Sequence, residues 1–233
     1  MFYRKIVPTA DGSATIFIPE WNESYHSRHG AIQEAYHVFI KNGLELISGQ
    51  NEISLLEIGF GTGLNAFITL LESNRLKIKI NYTGIEKYPV SKEEFSILNY
   101  PESLKTFHPD LGFTKKELKG FYGALMSAEW ERKVSVTPEF HLTKLQLDFL
   151  DYPYPQQQFD LIYFDAFGSR VQPELWTETL FKKLYNSLKT GGVFTTYSAK
   201  GSVRRALAAV GFQVEKRPGP PGKREMLTAF NKK

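Results

Sequence analysis

Cysteine is absent from the 233 residues, which excludes disulfides and thiolate metal sites. No apolar run approaches the ~20 residues that span a bilayer, and the opening MFYRKIVPTADG lacks the apolar core of a signal peptide. A cytoplasmic protein with no membrane contact is therefore expected. Repeats and low-complexity tracts are also missing, which argues against solenoids and linkers. What is present suits a globular protein: hydrophobic residues make up 42%, enough for one good-sized domain with a real core. The net charge of +4 is unevenly spread. Residues 182–233 hold 12 Lys/Arg against two acids, a balance of +10, and the remaining residues sum to −6. Such asymmetry fits a face that meets a polyanion, as well as a merely solvated basic surface.

The pattern along the chain reads as α/β. Segments 2–8 and 14–19 flank the turn signal ADGS and predict a hairpin, and helical spacing runs from His29 to about Ile47. ISLLEI (53–58) is a continuous apolar strand of the kind buried on both faces of a parallel sheet. A helix follows from Leu64 to about Ser73, then a strand at 78–86 and a helix near Ser91. Residues 100–140 show no clear strand and read as an insertion with short helices. Further strands are expected at 141–147, 159–167, 191–197, 212–217 and 224–230, with helices over 173–188 and 202–210. The last two strands have only the loop PGPPG between them and should be antiparallel. The expectation is a seven-stranded, mostly parallel sheet in residues 51–233, carrying a hairpin-and-helix extension in residues 1–50.

LLEIGFGTGLNAF (55–67) sits between the first such strand and its helix, where ligands enter an open α/β sheet. Alternating Gly59, Gly61 and Gly63 permit a tight turn and close backbone approach to a ligand. No Lys follows as in the phosphate-binding G-x-x-x-x-G-K-[ST], and the spacing is not G-x-G-x-x-G. Glu86 ends the next strand, 23 positions after Gly63, where a carboxylate can bind both hydroxyls of a ribose. That feature serves NAD equally well. Asp148, in LQLDFL, suits either a nucleotide contact or a helix cap. Asp165, in FDLIYFDAF, follows four apolar residues; such an acid is costly to bury unless paired or used, and capping the next helix is its alternative role.

The run E-x-G-x-G-x-G resembles the first motif of class I S-adenosylmethionine-dependent methyltransferases, with a Rossmann-like fold. Within them, FDAFGSRVQPELW and LFKKLYNSLKTGGVFTTYSAKGSVRRALAAVGFQVEKRPGPPGKREML resemble the MnmC methyltransferase-domain family. GFGTGLN (59–65), EKYP (86–89) and YHSRHGAIQEAYHVF (25–39) also fit, so the resemblance covers nearly the whole chain. It implies that S-adenosylmethionine is held by Glu57, Gly59, Phe60, Gly61, Gly63, Asn65, Glu86, Lys87, Asp148 and Phe149, with Asp165 as the catalytic group. It further implies a tRNA substrate, contacted by Ser27, Glu34, Phe167, Trp176, Lys200, Arg204, Arg205, Lys223 and Arg224. The family methylates the 5-aminomethyl group of a (2-thio)uridine at the tRNA wobble position. Its members are often fused to a flavin-dependent oxidoreductase; this chain ends at Lys233 without one, so the aminomethyl substrate is expected from separate enzymes. GSRV after Asp-x-Phe departs from the family's usual small and Pro residues and bears on the acceptor pocket.

His26, His29 and His37 match no strong zinc spacing, and no metal is expected. Beside the tRNA methyltransferase reading stand a small-amine methyltransferase or aminopropyltransferase on the same fold, which would not need the basic third, and a non-catalytic RNA-binding module.

Overall fold

The computed structural model describes residues 3–232. The chain opens with β1 (Lys5–Pro8) and β2 (Ala14–Ile18), an antiparallel hairpin to which β3 (Glu23–Ser24) adds a short third strand. Asp11 closes the hairpin turn by accepting from the Ser13 amide and from the hydroxyls of Thr9 and Ser13, the local side-chain bonding that makes Asp a turn residue. The single helix expected over 29–47 is three pieces. α1 (Ala31–Ala35) runs on into a π-helical stretch, Tyr36–Lys41, and a separate 3-10 turn, Leu44–Ile47, follows Gly43.

The main sheet then builds through β4 (Glu52–Ile58), α2 (Leu64–Leu76) and β5 (Lys79–Ile85). α3 (Lys92–Ile97) is the helix expected near Ser91, and the segment read as an insertion, 100–140, holds α4 (Tyr100–Phe107), α5 (Lys115–Ser127) and β6 (Lys133–Thr137). Both α3 and α5 start with capping boxes, Ser91 with Glu94 and Thr114 with Glu117. β7 (Phe140–Leu145), β8 (Phe159–Phe164), α6 (Glu178–Ser187), β9 (Leu188–Thr196), α7 (Gly201–Val210), β10 (Gln213–Pro218) and β11 (Glu225–Phe230) complete the chain.

These strands form one eight-stranded sheet in the order β10-β11-β9-β8-β4-β5-β7-β6. β4, β5, β7, β8 and β9 are mutually parallel, and β11 runs antiparallel to both β9 and β10. The fold is the α/β, Rossmann-like one expected, with one strand more than the seven read from the pattern. The addition is β6, antiparallel on the outer side of β7. Its sequence KVSVT is short and polar on alternate residues, as suits a solvent-facing sheet edge, and such a strand has little apolar signature.

Both faces of the central strands are buried. Leu55, Ile80, Leu142, Leu161 and Tyr163 face α2, α4, α5 and the N-terminal helical segment; Leu56, Ile58, Ile85, Ile162 and Phe164 face α6 and α7. This two-sided burial is why these strands read as unbroken apolar runs. From β4 the chain moves through β5 to β7, then returns to β8 on the other side. The carboxyl ends of β4 and β8 therefore flank the topological switch point, the place where open α/β sheets bind ligands. The small N-terminal sheet is tied across this edge. Arg4 donates to Tyr88 O and Pro89 O, Asn99 and Ser103 donate to Gly12 O, and Arg170 donates to Trp21 O and Glu23. Among the described residues no helix is long and apolar enough to cross a membrane.

Gly59 joins these strand ends at close range. Its φ is +93°, and a Cβ there would lie 2.6 Å from the Asp165 carbonyl oxygen, a backbone atom that no rotamer can move aside. Gly59→Ala is expected to cost at least about 2 kcal/mol and to lower Tm by roughly 4–8 °C. An unchanged melting curve would mean that the two strand ends are not held at this separation.

Candidate active site

The glycine loop is organised by backbone groups before any ligand is considered. The amides of Gly59 and Phe60 both donate to Ile85 O, and the Gly61 amide donates to Glu86 Oε2 at 3.0 Å. Gly63, at φ +71°, is the left-handed residue that starts α2. Glu86 also accepts from the Tyr88 amide at 2.8 Å. Burial raises its carboxyl above the usual range, against the pull of those two amides and of Arg4.

A cavity of about 570 Å³ opens over the carboxyl ends of the strands. Gly59, Phe60, Gly61 and Asn65 line it from the first loop, Glu86 and Lys87 from the second, Asp148 and Phe149 from the third, and Asp165 and Phe167 from the fourth. Asp148 both lines the cavity and caps the short turn after β7, accepting from the Leu150 amide; Lys87 pairs with it at 2.6 Å. Two expected cofactor contacts do not line the cavity. Gly63 is turned beneath the loop against Leu125 and Met126. Glu57 is fully buried under the floor, where it accepts from Tyr82 Oη at 2.7 Å and from Asn65 Nδ2 at 2.9 Å. Burial pushes its carboxyl well above the ordinary range.

Asn65 joins this buried acid to Asp165. Its amide nitrogen donates one hydrogen to Glu57 Oε1 and the other to Asp165 Oδ2, at 2.9 and 2.8 Å. Both neighbours are acceptors, which fixes which way the amide points. Asp165 therefore caps no helix; Gln172 and Thr177 hold those positions further on. Its carboxyl is pushed up to about 7, first by burial and then by the nearby charge of Glu34, against the Asn65 hydrogen bond and Lys223.

The opposite wall comes from the N-terminal sheet and the segment after it. Ser27 and Glu34 line the cavity as expected, and the Ser27 amide donates to Glu34 Oε2 at 2.7 Å. Trp21, Tyr25, His26, Arg4 and Arg28 line it too, and the sequence pattern had not marked them as site residues. The rings of Trp21 and Tyr25 meet the Phe167 ring edge-on at 5.1 and 5.0 Å. His26 is held by Thr15, Thr62 and Tyr100, and burial drops its imidazole to about 4, so it is neutral at pH 7. The residue types in YHSRH were the available signal, but only the fold brings them opposite the glycine loop.

Several expected substrate contacts sit elsewhere. Trp176 does not line the cavity; its indole N–H donates to Phe167 O at 2.8 Å and steadies the loop that does. Lys200, Arg204, Arg205 and Arg224 lie outside it on the exposed surface, and Lys200 donates to Ser169 Oγ. Lys223, by contrast, lines the cavity, with its ammonium turned inward onto Glu34.

A family model described as S-adenosyl-L-methionine-dependent methyltransferase matches residues 117–232. Relatives named tRNA 5-methylaminomethyl-2-thiouridine biosynthesis bifunctional protein MnmC cover most of the chain. That of Leptospira borgpetersenii is 33% identical over 89% of it, and that of Cupriavidus metallidurans 30% over 95%. The MnmC2 structure from Aquifex aeolicus superposes with a TM-score of 0.79 at 25% identity, covering 99% of this chain and 70% of that one. The chain belongs to this methyltransferase family. It spans about a third of the length of the bifunctional relatives, 32% and 33% in the two cases. A probable spermidine synthase from Corynebacterium glutamicum, at TM-score 0.52 and 14% identity, shares the fold alone.

The family's cofactor, S-adenosyl-L-methionine, suits the groups present. Asn65 Oδ1 is a buried acceptor with no partner in the protein, of the kind an ammonium group satisfies. Glu86 offers a carboxylate to a diol, and Phe149 an apolar ring to a base. Saturating S-adenosyl-L-methionine, about 100-fold over Kd, should stabilise the protein by about 2.7 kcal/mol, read as a rise in Tm. Glu86→Ala should weaken binding at least tenfold and shrink that rise. A shift given by NADH instead would overturn the assignment.

Proposed function

We propose that this methyltransferase methylates the primary amine of a 5-aminomethyl-(2-thio)uridine at the wobble position of tRNA, producing the 5-methylaminomethyl nucleoside. The names of the relatives support the substrate. The observation that carries the chemistry is a single half-buried carboxylate, Asp165, fixed by Asn65 at the carboxyl end of β8. Gly59, Phe60, Gly61, Asn65, Glu86, Lys87, Asp148 and Phe149 are the residues proposed to hold the cofactor, with Glu57 acting through Asn65.

The cofactor supplies a methyl on a sulfonium, and its thioether leaves neutral, so no acid is needed for departure. The acceptor arrives as an ammonium with no free lone pair. Asp165, ionised, would accept one N–H proton and so free the nitrogen lone pair to take the methyl that the bound cofactor would supply. A carboxyl near 7 suits this proton transfer, being basic enough to take the proton yet ionised in a large fraction of molecules at neutral pH. Residues around it orient the amine, which in an in-line displacement is most of the work. The reaction presupposes a separate enzyme that leaves a primary amine on the uridine.

The exposed cations Lys200, Arg204, Arg205 and Arg224 are proposed to hold tRNA phosphates while the base enters the cavity. Extrusion of the target base is general for enzymes that act on bases. Glu225 pairs with Lys216, which leaves Arg224 and Arg204 available to a polyanion.

Three outcomes are expected. Labelled methyl should pass to tRNA from cells lacking the modification, with kcat rising as pH increases through about 7 because the ionised Asp165 is the active form. Asp165→Asn should lower kcat by about 10²-fold and abolish that step while leaving cofactor affinity intact. Transfer to free small amines but not to tRNA would favour the small-amine alternative. Affinity for tRNA should fall with salt by about 0.7 log units per phosphate contact, and Lys200→Ala with Arg204→Ala should flatten the slope. A wild-type slope in that double variant would place the tRNA elsewhere.

A further inference from the structure

Lys223 reaches into the cavity from the loop between β10 and β11. Its ammonium lies 2.7 Å from Glu34 Oε1 and 4.1 Å from the centre of the Tyr197 ring. Both flanking groups are held in place without it. Glu34 Oε2 accepts from the Ser27 amide, and Tyr197 Oη donates to Ala166 O, the residue after Asp165. Glu34 is largely buried, with 11% of its side chain exposed against 35% for Lys223. The lysine loop is braced as well: Gly222 packs on the His29 ring, and His37 Nε2 bonds Pro218 O. A carboxylate beside an aromatic face is a site for a cation, and here a primary ammonium already occupies it, in the cavity that holds Asp165.

We propose that Glu34 and the Tyr197 ring form a subsite for a primary ammonium, held by Lys223 until the acceptor's aminomethyl group takes its place. The proposal rests on the N-methylation reading and adds to it how a primary amine is selected. An ammonium that enters this subsite finds the charge and ring face that Lys223 leaves, so the displaced lysine and the incoming amine exchange like for like. Lys223, released to the mouth, is then free to meet a phosphate. A purely structural tie between the loop and α1 would use the same pair, and the two roles differ in one respect: only a subsite accepts a free ammonium in the lysine's stead.

The test uses Lys223→Met and methylammonium chloride, compared with sodium chloride and tetramethylammonium chloride at equal ionic strength. Methylammonium at about fivefold over its Kd should raise the Tm of Lys223→Met by roughly 2–4 °C. Wild-type protein and the Lys223→Met, Glu34→Gln double variant should not respond. No selective rise in Lys223→Met, or an equal rise in the double variant, overturns the subsite. A second measurement does not depend on the stability of Lys223→Met. Glu34→Gln should raise KM for the aminomethyl-uridine tRNA about tenfold with the Kd for S-adenosyl-L-methionine unchanged, and an unaltered KM overturns the proposal. If methylammonium binds as expected but wild-type enzyme does not methylate tRNA, the subsite stands and the tRNA reading falls.

Discussion

One amide side chain orders the centre of this protein. Asn65 places its two hydrogens on two carboxylates, Glu57 beneath the cavity floor and Asp165 at its surface. A buried carboxylate without a donor is costly, and two of them side by side cost more. The amide satisfies both without adding positive charge, so Asp165 stays positioned while its proton affinity remains high. An Arg or Lys in the same place would hold the two acids as tightly and drive the Asp165 carboxyl down, away from the range that suits the base role proposed for it. Tyr82 donating to the far oxygen of Glu57 makes the lower end of this chain rigid, and the β4–β8 pairing carries it to the upper end.

The N-terminal segment has a larger part in the site than its position in the chain suggests. Its small sheet is tied to the strand-edge loops by Arg4, to α4 through Gly12 O, and to the loop after Asp165 by Arg170. Arg170 belongs to GSRV, the stretch that follows Asp165-Ala-Phe. Its guanidinium spans from the loop after β8 to Trp21 O and Glu23, joining two walls of the cavity. Trp21, Tyr25 and Phe167 meet at that junction, so the shape of this side of the cavity is set by the pairing of two segments almost 150 residues apart in sequence.

Strong local patterns made much of the fold legible. Unbroken apolar strands, alternating glycines and acids at strand ends are each a property of a few consecutive residues. They located β4, β5, β8 and β9 and the loops that carry Gly59, Glu86 and Asp165. Weak patterns failed for equally local reasons. β6 is short and polar on one face, and the 29–47 segment keeps helical spacing although its backbone changes from α to π geometry at Tyr36.

By itself, then, the sequence determined the sheet's parallel core, the place of the glycine loop and the candidacy of Asp165, because backbone sterics and strand periodicity act over a handful of neighbours. Tertiary structure decided which polar groups meet. Glu57 had the same motif position whether it touched a ligand or not; only the depth of β4 in the sheet sent it to Asn65 and Tyr82. Lys223 read as one more cation in a basic run, and only the packing of its loop against His29 and His37 turned it inward to Glu34, 189 positions away. Charge–charge distances of this kind depend on the whole chain's path, and no local pattern encodes them.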